Sequence, residues 1–247
     1  MEKHRFTSAA LGNQREIAAY LPPGYSPRAE PYPVLVLFDE EAYLDLVPTP
    51  TILDNLVAEG RIPPLVALLI GNAPGARDRE LICNPEFTRA LATELLPWAH
   101  DRYNFTSDPG RTVVAGSSAG GLGAACSALW HPEVFGNVLA QSGAFHRAPS
   151  WDRAAAGASP EPNWLARQFI SSPRKPVRFY LDAGTAEFNA TGGADSILFC
   201  TRTLRDVLRA RGYEVHFQEF VGGHDYLSWR GTLADGLMAL FTGLQGQ

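Results

Sequence analysis

The sequence RTVVAGSSAGGLGAACSAL, residues 111–129, contains a β-branched run, a tight turn of glycine and serine, and a stretch of small residues suited to a closely packed helix. Within it, Ser118 has glycine at both positions two residues away, Gly116 and Gly120. This Gly-x-Ser-x-Gly spacing is typical of a nucleophile elbow, in which a strand turns sharply into a helix and presents the serine at the apex. We therefore predict that Ser118 is a nucleophile.

Backbone N–H groups near the elbow complete this chemistry. The first N–H groups of a helix lack partners within the helix, so the N–H of Ala119 is predicted to stabilise the oxyanion that forms when Ser118 attacks a carbonyl. A second donor is expected from the loop after the first buried strand, at residues 39–41, and we assign it to Glu41. The carboxylates of this loop are compatible with an oxyanion only if they point away from it.

A serine hydroxyl needs a nearby base to become a nucleophile. Of the six histidines, His224 lies in the sequence VGGHD, just past the last predicted strand. An α/β-hydrolase carries its histidine at this point of the chain, and the two preceding glycines permit a loop that folds over the site. We therefore predict that His224 is the base.

The third member of the triad is expected between the serine and the histidine, after the penultimate strand. The sequence LDAGTAE, residues 181–187, offers Asp182 and Glu187 there. Glu187 is preferred because it lies beyond the strand and has the longer reach, and Asp182 is the second choice. Asp225, adjacent to the histidine, is the third.

Strand and helix patterns alternate on both sides of the elbow. Besides the elbow strand and helix, strands are predicted at residues 34–38, 65–70, 135–139, 177–181 and 215–221, and helices at residues 51–59, 85–103, 195–211 and 226–244. Asn84 is predicted to cap the helix at residues 85–103. Residues 16–21 are predicted as an edge strand, starting the sheet in antiparallel fashion with residues 6–11, and residues 151–162 as a surface excursion that forms part of a lid. The alternation predicts one α/β-hydrolase domain over residues 1–247, with a mainly parallel sheet and helices on both faces.

The composition of the chain argues against some classes of function. The chain has 247 residues, of which 45% are hydrophobic and 19% charged, and its net charge of -5 argues against nucleic acid as a partner. The sequence has no run of 18 apolar residues and no apolar leader, so we expect a soluble, cytoplasmic protein that does not act at a membrane. The three widely spaced cysteines are expected to be reduced core thiols, with no metal site and no cofactor.

Several motifs together resemble one family. They are LFD at residues 37–39, REL at 79–81, TVVAGSSAGGL, FGNVLAQSG at 135–143, GGHD at 222–225 and WRG at 229–231. From about residue 31 onward the chain resembles the catalytic domain of the enterochelin (enterobactin) esterases, putative esterases of the α/β-hydrolase fold. The resemblance implies hydrolysis of a catecholate trilactone siderophore with release of its iron, with Ser118 and His224 as the working pair and Arg79 near the substrate.

The sequence thus predicts a serine carboxylesterase acting on a small-molecule ester. An anionic substrate such as a ferric siderophore could be bound by arginines through paired hydrogen bonds. The candidates for substrate contact are Arg77, Arg79, Arg147, Arg230 and Phe145. Two alternatives stay open at this point: an acyltransferase that uses the same triad with an acceptor alcohol in place of water, and a hydrolase-like protein that binds a ligand without turnover.

Overall fold

The computed structural model describes residues 1–151, 163–188 and 196–241. Eight strands in this part of the chain form one sheet in the order β1-β2-β4-β3-β5-β6-β7-β8. They are β1 (Glu2–Ser8), β2 (Asn13–Tyr20), β3 (Val34–Phe38), β4 (Val66–Ile70), β5 (Thr112–Ser117), β6 (Asn137–Gln141), β7 (Arg178–Gly184) and β8 (Glu214–Phe220). β2 pairs antiparallel with β1 and β4, and the remaining pairs are parallel.

Helices connect the strands. They are α1 (Glu40–Asp45), α2 (Thr49–Ala58), α3 (Arg77–Leu81), α4 (Pro85–Ala90), α5 (Leu96–His100), α6 (Ala119–Trp130), α7 (Trp164–Ser171), α8 (Ile197–Ala210) and α9 (Tyr226–Phe241). A π-helical turn at Leu91–Leu95 joins α4 to α5, and a short 3₁₀ turn at Pro109–Arg111 precedes β5. The helix predicted over residues 85–103 therefore exists as three consecutive pieces.

The central strands are apolar along their whole length because both faces of the sheet are covered. Val36 and Phe38 of β3 face a core shared with α4 to α8, whereas Leu35 and Leu37 of the same strand face a core shared with α1, α2 and α9. Every residue of β3, β4 and β5 is buried. This arrangement confirms the predicted fold class, a mainly parallel sheet between two layers of helices.

The observed elements differ from the predicted ones in some places. Residues 16–21 were predicted to lie at the edge of the sheet, but β1 lies outside them and occupies the edge. The predicted strand at residues 135–139 begins two residues later, and α1, α3 and α7 were not predicted. Asn84, expected to cap a helix, accepts hydrogen bonds from the N–H groups of Glu86 and Phe87. Apart from Trp151, the predicted lid lies outside the described residues.

The expectation of three reduced thiols is wrong for two of them. Cys83 and Cys126 form a disulfide, with a Cα–Cα distance of 5.4 Å. Cys126 lies on α6 and Cys83 in the loop between α3 and α4, and both are fully buried. The bond therefore ties the elbow helix to the segment that carries two of the candidate arginines, Arg77 and Arg79.

Within the described ranges, the structure contains no helix with the length and apolar character needed to cross a membrane.

Candidate active site

The serine of the predicted elbow lies at the junction of β5 and α6. Ser118 has φ 55° and ψ −119°, a conformation that L-residues rarely adopt. Its N–H donates a hydrogen bond of 3.0 Å to the carbonyl of Gln141 on the neighbouring strand. Gly116 and Gly120 touch each other, since a Cβ on Gly116 would lie 2.7 Å from the carbonyl carbon of Gly120. The sharp turn therefore requires glycine at Gly116, and the spacing that predicted it has a direct steric cause.

Three of the predicted side chains form one hydrogen-bonded series. The Nε2 atom of His224 lies 3.0 Å from the Oγ atom of Ser118, and its Nδ1 atom lies 2.6 Å from Oε1 of Glu187. The Glu187 side chain is 1% exposed, whereas that of His224 is 36% exposed. Such an arrangement can pass the serine proton to the imidazole while a buried carboxylate holds the ring.

The backbone fixes the carboxylate of Glu187. Its second oxygen, Oε2, accepts a 2.6 Å hydrogen bond from the N–H of Gly184. Two further bonds tie this loop to the segment leading to His224: the N–H of Thr185 donates to the carbonyl of Phe220, and the N–H of Ala186 donates to that of Gly222. These hydrogen bonds hold Glu187 and His224 at fixed positions relative to each other.

The other two candidate acids have different partners. Asp225 accepts a 2.9 Å hydrogen bond from the N–H of Ser228 in the first turn of α9. Asp182, at 0% exposure, accepts a 3.0 Å hydrogen bond from the N–H of Ser142. Burial raises the pKa of Asp182 to about 7, and the nearby charge of Glu187 acts in the same direction. Of the three acids, the structure brings Glu187 to the histidine.

A tryptophan for which the sequence predicts no role packs against the histidine. The rings of Trp229 and His224 meet edge to face, with centroids 4.9 Å apart and an interplanar angle of 89°. The indole N–H donates a 2.9 Å hydrogen bond to the hydroxyl of Ser142. Ser142 and Trp229 belong to the sequence motifs QSG and WRG, respectively. The motifs alone did not indicate that the two residues are in contact.

The predicted oxyanion donors lie at the starts of two helices. In α6 the first helical bond runs from the N–H of Leu122 to the carbonyl of Ser118, so the N–H of Ala119 has no partner within the helix. In α1 the first bond runs from the N–H of Tyr43 to the carbonyl of Asp39. The N–H of Glu41 therefore also has no partner within its helix. The start of α1, which carries Glu41, is adjacent to the elbow, since a Cβ on Gly120 would lie 3.3 Å from a carboxylate oxygen of Asp39, the residue before α1.

Cations neutralise two carboxylates at the start of α1, those of Asp39 and Glu40. Asp39 receives two hydrogen bonds from the guanidinium of Arg77, at 2.7 and 2.8 Å, and a third from the amide of Asn72. The pKa of Arg77 is raised by this partner. Glu40 is buried with one oxygen 3.1 Å from the ammonium of Lys3. Asp39 and Glu40 are therefore engaged by cations, whereas the side chain of Glu41 is exposed to solvent.

The candidate substrate residues do not form one group. Arg79 and Arg147 line a cleft of about 270 Å³ that also contains Asp78. Arg147 pairs with Asp78 at 2.8 Å, and this hydrogen bond lowers the pKa of the carboxyl. Arg230 is exposed on α9 and does not line this cleft. Phe145 is only 1% exposed, because its ring fills the space beside Gly143, so it supports the loop and offers little surface to a ligand.

A larger cavity lies elsewhere on the same sheet. It has a volume of about 840 Å³ and is formed by the β1–β2 hairpin together with Asn72 and Pro74. None of the predicted site residues lines it. Its lining is rich in polar groups and includes Arg15, whose guanidinium is paired with Glu80 at 2.9 Å. Size alone therefore does not identify a candidate site, and the hydrogen-bonded series at Ser118 is the feature that distinguishes this one.

The chain matches a family model described as putative esterase over residues 8–240. It is 36% identical to the iron(III) enterobactin esterase of Dickeya dadantii, over 96% of this chain and 54% of that protein. It is 30% identical to the iron(III) salmochelin esterase of Escherichia coli, over 92% of this chain and 54% of that protein. The enterobactin esterase of Shigella flexneri, solved in the presence of enterobactin, superimposes with a TM-score of 0.84 at 31% identity, over 98% of this chain and 59% of that one. The chain spans about half the length of the curated relatives it matches.

Proposed function

The chain belongs to the putative esterase family, and we propose that it is a serine carboxylesterase that forms an acyl-enzyme on Ser118. The observation that carries this proposal is the series of hydrogen bonds from Ser118 to His224, at 3.0 Å, and from His224 to Glu187, at 2.6 Å. In this proposal the described residues are part of one catalytic domain spanning residues 1–247.

Acylation begins when the hydroxyl of Ser118 attacks the ester carbonyl. His224 takes the proton on Nε2, and the carboxylate of Glu187 stabilises the resulting imidazolium through Nδ1. The N–H groups of Ala119 and Glu41 stabilise the oxyanion. When the intermediate collapses, His224 returns its proton to the leaving alcohol, and the acyl group stays on Ser118.

Deacylation repeats these steps with water as the nucleophile. His224 removes a proton from the water as it attacks the acyl carbonyl, and the same proton goes back to the Ser118 oxygen when the acid leaves. The exposure of the imidazole supports this step because its outer edge is open to solvent. An acyltransferase would use an acceptor alcohol at the same position.

We propose a siderophore trilactone, or a related aromatic ester, as the substrate. The names of two curated relatives, iron(III) enterobactin esterase and iron(III) salmochelin esterase, support this class. A ferric catecholate is strongly anionic, and Arg79 and Arg230 are both exposed to solvent, where they can meet such a ligand. Iron would enter as part of the substrate, without ligands from the protein.

Location in the cytoplasm stays a prediction. The Cys83–Cys126 disulfide weighs against it, because cytosolic thiols are kept reduced. Alkylation of protein thiols in intact cells, followed by fractionation and mass spectrometry, tests both points together: a reduced pair in the cytoplasmic fraction supports the location, and an oxidised pair in another fraction contradicts it.

A panel of esters tests the proposed function. It runs from short nitrophenyl esters through feruloyl esters to ferric trilactones, with and without an added alcohol acceptor. Ser118→Ala is the inactive control, and Ser117→Ala is the matched variant, since this neighbouring serine is fully buried in β5. We expect hydrolysis of trilactones or feruloyl esters by the wild type and by Ser117→Ala. Turnover of simple esters alone would contradict the proposed substrate class of trilactones and aromatic esters. Acyl transfer to the alcohol in preference to water would show that the protein is a transferase.

A further inference from the structure

One buried amide, the side chain of Gln141, connects the helices α1 and α9. Gln141, the last residue of β6, is 0% exposed. Its main-chain carbonyl accepts the hydrogen bond from the N–H of Ser118 described above. The side chain of Gln141 extends from the same residue. Contacts that fix this side chain therefore also fix the carbonyl that holds the backbone of Ser118.

On one side, the amide of Gln141 binds α1. The hydroxyl of Tyr43 donates a 2.7 Å hydrogen bond to Oε1 of Gln141, and Tyr43 is fully buried. Tyr43 lies two residues after Glu41, in the short helix α1, and the N–H of Glu41 is the proposed second oxyanion donor. This hydrogen bond therefore fixes the distance between that helix and the strand end beside Ser118.

On the other side, the same amide binds α9. Its Nε2 atom donates to the carbonyl of Trp229 at 2.8 Å and to the hydroxyl of Thr232 at 2.6 Å. Both residues belong to the helix that begins two residues after His224, and the Trp229 ring packs on the imidazole. Both amide hydrogens and the carbonyl oxygen are thus used, which leaves the amide one orientation.

We propose that Gln141 is a positioning residue for the ester hydrolysis proposed above: it holds the oxyanion turn of α1 and the histidine helix α9 at fixed positions relative to Ser118. The inference rests on the proposed function. Groups held in place before the reaction contribute most in the transition state, so loosening them lowers kcat and leaves KM almost unchanged. A residue with only a structural role would change stability without this kinetic signature.

The test uses two nearly isosteric variants with matched controls. Tyr43→Phe removes the hydrogen bond to α1, and Tyr20→Phe is its control, because that hydroxyl also lies on a buried tyrosine and donates 2.7 Å to Asp54. Thr232→Val removes the hydroxyl on α9, which accepts from the Gln141 amide and also lowers the pKa of the neighbouring Asp182 carboxyl. Its control is Thr201→Val, a buried threonine of α8. The hydroxyl of Tyr20 donates to Asp54 and that of Thr201 to the carbonyl of Ile197, so neither control hydroxyl is hydrogen-bonded to the Gln141 amide.

Two readouts are measured for each protein: kcat and KM on a nitrophenyl ester, and the rate at which a fluorophosphonate labels Ser118. We expect Tyr43→Phe and Thr232→Val each to lower kcat and the labelling rate by about tenfold, with KM within about threefold. The controls should stay within about twofold. The two losses should not multiply in the double variant Tyr43→Phe/Thr232→Val, because both act through Gln141.

The outcomes separate this inference from the proposed function. If the wild type neither hydrolyses esters nor accepts the label, the proposed function fails and the inference fails with it. If the wild type is active and both variants match their controls, the inference alone is overturned. A rise in KM with kcat unchanged, or losses that multiply in the double variant, would overturn it as well.

Discussion

Replacing Asp182 by asparagine tests the electrostatics next to the proposed triad. The carboxyl is fully buried, and burial raises its pKa from the ordinary value of 3.8 to about 7. Below about pH 7 the folded protein keeps the Asp182 proton, whereas the unfolded chain loses it above about pH 4. Between these values the folded state binds more protons, so the contribution of this group to the free energy of unfolding falls as pH rises.

The size of the effect follows from the two pKa values. One pH unit between them corresponds to about 1.4 kcal/mol, so over the interval from 3.8 to about 7 Asp182 lowers the free energy of unfolding by about 4 kcal/mol. Asn at this position is nearly isosteric and can still accept the hydrogen bond from Ser142, but it does not titrate. Relative to that of the wild type, the free energy of unfolding of the variant should therefore rise by about 4 kcal/mol from pH 4 to pH 7. It should not change further above pH 7.

Urea unfolding curves at several pH values between 4 and 8 measure this difference. Asp45→Asn is the control, because it removes a carboxylate that is exposed to water on α1. Parallel pH profiles for Asp182→Asn and the wild type would refute the reasoning, since the Asp182 carboxyl would then titrate alike in both states. A loss of activity greater than about a hundredfold in this variant would instead indicate that Asp182, and not Glu187, serves the histidine.

Three further predictions follow from single contacts. Glu187→Gln should lower kcat by about 10²- to 10⁴-fold, because the ring of the base loses its charged partner, whereas Asp225→Asn should keep kcat within about threefold; equal effects in a kinetic assay would contradict the assignment. Gly231→Ala should raise stability by about 0.5–1 kcal/mol in thermal unfolding, because a Cβ there meets no atom within 4 Å on the helix α9; a lower Tm would contradict this. Reducing the disulfide between Cys83 and Cys126, 43 residues apart, should cost about 4 kcal/mol in urea unfolding, and a thiol assay of the denatured, unreduced protein that finds three thiols would show that the bond is absent.

The parts of the molecule that the sequence predicted are those set by local chemistry. The apolar run of β3 has the bounds that were predicted, because a strand buried on both faces leaves a continuous apolar signature. Asn84 caps α4 as expected, because an asparagine followed by proline favours a helix start. The position of Ser118 at the elbow follows from two glycines whose backbones touch.

What the sequence could not predict depends on contacts between distant segments. The short helices α1 and α3 span too few residues to show a helical period, so their apolar residues carry no usable pattern. The pairing of Cys83 with Cys126 depends on how the loop before α4 packs on α6, which their spacing does not encode. The contacts of Gln141 with Tyr43 and Thr232 likewise join residues about 90 positions or more apart.

Covalent labelling of Ser118 is the most direct test of the central claim, that His224 activates this hydroxyl. The intact mass of the protein is followed after addition of a fluorophosphonate, and the modified peptide is sequenced. We predict one adduct, on Ser118, none in Ser118→Ala, and labelling slowed by at least about a hundredfold in His224→Ala. An adduct on another residue, or an unchanged labelling rate in His224→Ala, would contradict the claim.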